Sequence, residues 1–155
     1  MTYASKDGSL RFSYPASWHV IDNRPDYVAL ENVRESAAEA AARERAGDYT
    51  YHDGEAKIEV AISSPLDLTK VRRDVCTVQN TTLRVRECTT IRFSKRQALW
   101  ALVDESDDAD CTCRILVLNG PRYGYRLSGG GCIACAHTPA ILRQIEAIFR
   151  SLVVS

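Results

Sequence analysis

What this sequence lacks excludes several classes of function. Lys and Arg number 20 and so do Asp and Glu, leaving no net charge. Without a basic surplus the chain is not an ordinary duplex nucleic-acid binder. No apolar run approaches the ~20 residues of a membrane-spanning helix. The start, Met1-Thr2-Tyr3-Ala4-Ser5-Lys6-Asp7, is polar and lacks the apolar segment of a signal peptide. Two expectations follow: a cytosolic protein, or an exported one whose signal or lipid anchor was removed, with Met1 a cloning remnant. Catalytic signatures are also missing. There is no G-x-S-x-G elbow, and His19, His52 and His137 are scattered, outside any H-E-x-x-H or Cys/His array. Ser128-Gly129-Gly130-Gly131 has the look of a phosphate cradle, but no Gly-Lys-Ser/Thr follows it. It reads instead as a connector that lets the chain cross from strand to helix. No repeat, low-complexity tract or linker divides the 155 residues, so one domain over 1–155 is expected.

What the chain does have is cysteine. All six, Cys76, Cys88, Cys111, Cys113, Cys132 and Cys135, lie in the C-terminal half. An even count at close spacings is the usage of an oxidising compartment and favours the exported reading.

Hydrophobic alternation marks strands over Ser9–Tyr14, Trp18–Ile21, Tyr27–Leu30 and Lys57–Ile62. Asn32 is placed to cap an Ala-rich helix running to Ala46, stopped by Gly47. Ser64-Pro65-x-Asp67 opens a short helix through Val75, with Leu68, Val71 and Val75 inward. Extended segments follow at Leu83–Cys88, Ile91–Phe93 and Ala98–Asp104, then an acidic loop over Asp104–Asp110. Arg114–Leu118 and Tyr123–Ser128 form a hairpin across Asn119-Gly120-Pro121-Arg122. Thr138-Pro139 begins the clearest helix, about 139–152, with Ile141, Leu142, Ile145, Ile148, Phe149 and Leu152 on one face. The order of elements is α+β, an antiparallel sheet with helices against it.

The opening Asp7-Gly8-Ser9-Leu10-Arg11-Phe12-Ser13-Tyr14-Pro15-Ala16-Ser17-Trp18-His19-Val20 resembles that of PsbP-like domains, where an aromatic-x-aromatic-Pro turn leads into a Trp-bearing strand. The closing Ile148-Phe149-Arg150-Ser151-Leu152 is similar to that family's terminal helix. The Ala-rich segment after Leu30-Glu31-Asn32 and the strand Ile58–Ile62 suit its bacterial members. The region from Cys76 to Cys135 departs from the family pattern. The resemblance implies an α/β/α sandwich around a twisted antiparallel sheet. It also implies a family of mostly non-catalytic binding modules, among them an extrinsic photosystem II subunit and bacterial lipoprotein domains. Shared fold alone does not assign function. Read from the residues, Phe12, Tyr14 and Trp18 are simply core aromatics.

The cysteines allow several chemistries. Pairing Leu118 with Tyr123 puts Cys113 opposite Ser128 and Cys111 opposite Gly130, so the C-x-C and C-x-x-C pairs meet at the hairpin's open end. Cys111 or Cys113 can then bond Cys132 or Cys135 in two bridges, with Cys76 and Cys88 closing a loop of their own worth about 3 kcal/mol. Alternatively Cys111, Cys113, Cys132 and Cys135 hold a structural zinc ion, which leaves Cys76 and Cys88 unexplained. Free buried thiols are the third possibility. A redox dithiol at Cys132-Ile133-Ala134-Cys135 is disfavoured, because the helix starts beyond Cys135 and would stabilise a thiolate weakly. Asp104, Glu105, Asp107, Asp108 and Asp110 lack the spacing and glycine of a calcium loop and read as a solvated turn. Arg72, Arg73, Arg84, Arg86, Arg92, Lys95 and Arg96 form a basic run, read as a solvated sheet face, that an acidic partner or anionic membrane would also suit. Asn80-Thr81-Thr82 is a sequon, otherwise turn chemistry.

The expectation is therefore an exported or cell-envelope, disulfide-stabilised, non-enzymatic module that binds an unidentified protein or small ligand, with a removed N-terminal lipid anchor as its route to a membrane. It takes no nucleic acid and no cofactor. The alternatives are a cytoplasmic domain with the four-cysteine zinc site and, third, a dithiol redox protein.

Overall fold

The computed structural model describes residues 1–33, 36–47, 55–77, 83–105, 111–131 and 139–155. In chain order the elements are β1 (Thr2–Ala4), β2 (Leu10–Ser13), β3 (His19–Arg24), β4 (Tyr27–Glu31), α1 (Ala37–Ala46), β5 (Lys57–Ser63) and α2 (Leu68–Cys76). They continue with β6 (Leu83–Phe93), β7 (Arg96–Glu105), β8 (Cys111–Asn119), β9 (Gly124–Gly131), α3 (Pro139–Arg150) and β10 (Val153–Val154). The fold is α+β, as expected. Seven strands in the order β3-β4-β5-β9-β8-β7-β6 form one sheet, and β1-β2-β10 a small second one. All pairings are antiparallel.

The large sheet buries both faces of its central strands. On one face Val28, Leu30, Ile58, Val60, Trp100, Leu116, Leu118 and Leu127 meet Ile141, Ile145, Ile148 and Phe149 of α3 and the small sheet's Tyr3, Leu10 and Phe12. On the other, Leu99, Ala101, Val103, Ile115 and Val117 meet Leu68, Val71 and Val75 of α2. The alternation of β7 and β8 divides these sets, as strand geometry requires. Trp18 is wholly buried and its indole N–H donates to Gln144 Oε1 at 2.9 Å, tying the first strands to α3.

Several expectations are corrected. Asn32 does not cap α1. Its Oδ1 accepts from the Ala56 amide at 2.6 Å, while Ser36 and Glu39 form a reciprocal capping box at 2.8 and 3.3 Å. Helix α2 begins after Pro65, capped by Asp67, whose Oδ1 accepts from the Thr69 and Lys70 amides. The segments Leu83–Cys88 and Ile91–Phe93 are one strand, bulged between Val85 and Glu87. It turns into β7 through Ser94 and Lys95 at φ 47° and 70°, the two-residue turn that matches sheet twist. The strand expected over Ala98–Asp104 runs on to Glu105, so the acidic segment starts inside β7, where Asp104 accepts from Thr112 Oγ1 at 3.0 Å and pairs with Arg86. The strands β1 and β10 were not anticipated.

The β8–β9 register differs by two residues: Leu118 opposes Tyr125, and Cys113 opposes Gly130. Gly129 and Gly130 are strand residues rather than a connector. A Cβ at Gly129 would meet Ile145 Cγ2 at 2.5 Å, so the bare backbone is what lets α3 lie this close.

Candidate functional site

Four loops from distant parts of the chain meet at one end of the large sheet and enclose a cleft of about 460 Å³. Strand β1 and the loop after it contribute Tyr3, Lys6 and Asp7; the end of β3 and its turn, Asn23 to Asp26; the end of β5 and the residues after it, Ile62 to Pro65; and the β8–β9 loop, Arg122 and Tyr123.

Each loop is locally fixed. Asp7 Oδ1 accepts from Ser5 Oγ at 2.7 Å, Ser9 Oγ at 2.8 Å and the Ser9 amide at 3.0 Å, around Gly8 at φ 69°. The Ser5 hydroxyl first, then the Ser9 amide and hydroxyl, lower the Asp7 pKa to about 2. The β3–β4 turn is stapled to β5 by the Ile62 amide, which donates to Asp26 O at 2.8 Å. In the β8–β9 loop the Gly120 amide donates to Tyr123 O at 2.8 Å.

The walls are aromatic and apolar, the rim polar. Tyr3 stacks on Phe12 with ring centres 4.9 Å apart, and its hydroxyl donates to Asn23 Oδ1 at 2.9 Å. Burial, then the Asp7 charge, pushes the Tyr3 phenol up, so it stays a neutral donor. Tyr123 meets Tyr125 edge to face at 6.4 Å, and the buried Tyr125 hydroxyl donates to Ser9 O at 3.2 Å. Among the rim charges Arg24 is committed to Asp22 at 3.1 Å and to the Tyr27 ring at 4.6 Å. The cleft thus offers neutral hydroxyls, two tyrosine faces and both signs of charge.

A second polar cluster lies under α3. Arg114, with 6% of its side chain exposed, donates to Glu87 at 2.8 Å and Glu146 at 2.6 Å and sits 4.7 Å from the Trp100 ring centre. Arg150 lies over the same ring at 5.1 Å. This cluster joins sheet to helix. It reads as structural.

The cysteines are distributed as follows. Cys76 at the end of α2 and Cys88 in β6 are at bonding distance, their Cα atoms 5.7 Å apart. Cys111 is in β8 opposite Glu105. Cys113 is half-buried among the apolar residues under α2, opposite Val103 and Gly130. Cys132 and Cys135 lie outside the described residues, as do His52, His137, the sequon and positions 106–110 of the acidic segment. Among the described residues no three His, Cys, Asp or Glu side chains form a metal-holding group. No described helix is long and apolar enough to cross a membrane.

The cleft was not anticipated from sequence. Its traces there are Asp7-Gly8 and Gly120-Pro121, turn signals each near a tyrosine, Tyr3 and Tyr123. That they share one end of the sheet follows only from topology.

No family model and no curated protein sequence matches this chain. In solved structures it is similar to the cyanobacterial PsbP (CyanoP) of Synechocystis sp. PCC 6803, at 12% identity and a TM-score of 0.63, covering 100% of this chain and 92% of that one. A protein of Bacteroides thetaiotaomicron VPI-5482 matches at 8% identity and a TM-score of 0.47, over 99% of this chain and 48% of that one, too distant to carry an argument. The chain has the PsbP-like fold.

Proposed function

We propose that this chain is an exported, disulfide-stabilised, non-enzymatic module that binds a small ligand or a protein's side chain in the cleft between Tyr3 and Tyr123. The observation that carries this reading is the cleft itself: about 460 Å³, apolar-walled, with loops held by their own hydrogen bonds rather than by an occupant. The Cys76–Cys88 approach supports an oxidising compartment. Two further bridges among Cys111, Cys113, Cys132 and Cys135 complete the reading, and a lipid anchor removed from the N-terminus is its route to a membrane surface.

The binding half is tested by amide-resolved NMR titration with a library of small aromatic acids, amines and short peptides. Shifts converging on Tyr3, Asn23, Ile62 and Tyr123, and lost in Tyr123→Ala, are expected. Hits that map elsewhere, or that ignore Tyr123→Ala, overturn it. The compartment half is tested by the intact mass of unreduced protein from native buffer. A deficit of about six hydrogens marks three bridges, whereas a gain of one zinc with no hydrogen loss replaces export with the cytoplasmic metal-held alternative.

A further inference from the structure

The charge of this neutral chain is unevenly placed. Between residues 70 and 96 stand eight Lys and Arg against two carboxylates, Asp74 and Glu87, so this stretch carries +6 and the remainder −6. Its described part is most of α2, the edge strand β6, the turn after it and the first residue of β7.

Side-chain directions gather part of this charge along one rim. Leu68, Val71 and Val75 of α2 point into the sheet, and Cys76 reaches across to Cys88, so β6 lies on the Cys76 side of the helix. At ~100° per residue, Arg72 and Arg73 both fall within about 60° of Cys76 around the axis. Both are exposed, Arg72 on the flank between the packed face and Cys76, which overlooks β6, and Arg73 further round the helix. On β6 itself Thr90 and Arg92 share the face of Cys88 by alternation, and both are exposed. Lys95 continues the line into the turn, whereas Arg96, opposite Phe93, begins β7 on the other face. Arg73 makes one loose, exposed pair with Asp74 at 3.8 Å, and Glu87 is drawn to Arg114 on the other face. Among the described residues the rim's charge is therefore left for solvent or a partner.

The same strand is an open edge. β6 pairs with β7 on one side and ends the sheet order; among the described residues nothing pairs with its other side. Beyond the bulge, Glu87 to Phe93 run in regular register. Charges and a bulge on an edge serve to prevent self-pairing. Arg72 and Arg73, however, stand on the helix beside the edge and are not needed for that.

We propose that β6 is a docking edge for an extended acidic polypeptide segment of another protein, added as an eighth strand with its carboxylates against Arg72, Arg92 and Lys95. The open edge offers N–H donors and C=O acceptors together, which another main chain satisfies and an anionic lipid surface or polyanion, supplying acceptors alone, does not. A second copy of this edge would bring like charges opposite one another.

The test uses the whole chain and a fluorescein-labelled peptide of alternating Glu and Val, about eight residues long, with its N-methylated counterpart as control. The plain peptide is expected to bind, to protect β6 amides from hydrogen exchange, and to weaken about fivefold to tenfold with each of Arg72→Glu and Arg92→Glu at low salt. These exposed substitutions should leave the circular dichroism spectrum unchanged. Equal binding of the N-methylated peptide overturns the proposal in favour of unspecific polyanion attraction. Capture by phosphatidylglycerol vesicles without peptide binding overturns it in favour of a membrane. Dimerisation through β6, protection outside β6, or no binding of the plain peptide also overturns it.

Discussion

Removing the Cys76–Cys88 link should lower stability by about 3 kcal/mol without undocking α2. The two residues are 12 apart in sequence. Loop-closure entropy over that span, about 9–10 cal/mol/K, gives this figure at room temperature. For a chain of this length 1 kcal/mol corresponds to roughly 2–4 °C in Tm, so Cys76→Ala/Cys88→Ala should melt about 9 °C below the parent. The helix stays in place because other contacts hold it. Asp67 caps it, Asn119 exchanges two 2.8 Å hydrogen bonds with Leu66 just before it, and Leu68, Val71 and Val75 cover the apolar cluster of Leu99, Ala101 and Val117.

The assay is thermal unfolding by circular dichroism of the double variant without reductant, since a thiol reagent would also act on the other four cysteines. Urea midpoints at 25 °C provide the parallel measure. A fall under ~2 °C would refute the link as a bond formed in solution. A fall beyond ~20 °C would refute the loop-entropy account, because the bridge would then be ordering the sheet itself.

Arg114→Ala should cost about 3 kcal/mol by urea unfolding, since it empties a buried site beside Trp100 and leaves Glu87 and Glu146 unpaired, while Arg114→Met, which refills the volume, should cost about half. Gly129→Ala should cost about 1–3 kcal/mol, as its Cβ meets Ile145 at 2.5 Å and Ile58 and Phe149 at 3.1 Å; a neutral result in the same assay would mean α3 can shift outward. The Asp7 carboxyl, depressed to about 2 in the folded state against ~3.9 unfolded, contributes stability that is complete above about pH 4 and lost as pH falls towards 2. Asp7→Asn should flatten that acid limb in pH-dependent melting, and an unchanged limb would show that the turn does not hold Asp7 in solution.

How much of this was legible in the sequence follows from what each pattern encodes. Ile58, Val60 and Ile62 alternate because one face of β5 is buried, and Ile141, Ile145, Ile148 and Phe149 repeat because α3 presents one stripe to the sheet. The β8–β9 register was not legible, because Tyr123, Tyr125 and Leu127 have the same parity and a slip of two preserves every face assignment. Strand β1 carries one buried residue, Tyr3, and β10 none, so neither makes a pattern without β2 beside it. Asn32 and Ser36 are both good caps by type. What separates them is the Ala56 amide, 24 residues on, which claims Asn32. The cleft is a fact of topology, and its residues have no shared signal along the chain.

That topology also separates the two halves of the proposed function. In β8 and β9 the loop bearing Arg122 and Tyr123 closes one end of a ladder that runs from Asn119–Gly124 to Thr112–Gly131. At ~3.4 Å per residue the cleft and the Cys111 end stand on the order of 25 Å apart. Cys88 is intermediate, in line with Ala101, Ile115 and Ser128 across the sheet. Oxidation at the cysteines therefore reaches a ligand in the cleft only through the stability of the whole fold. Cys111→Ser/Cys113→Ser should lower Tm if those residues are bridged, yet leave the cleft's affinity for any ligand found there unchanged at temperatures where the variant is folded. Loss of binding in a variant that is still folded would mean that the ladder transmits more than rigidity, and that the cysteines belong to the site.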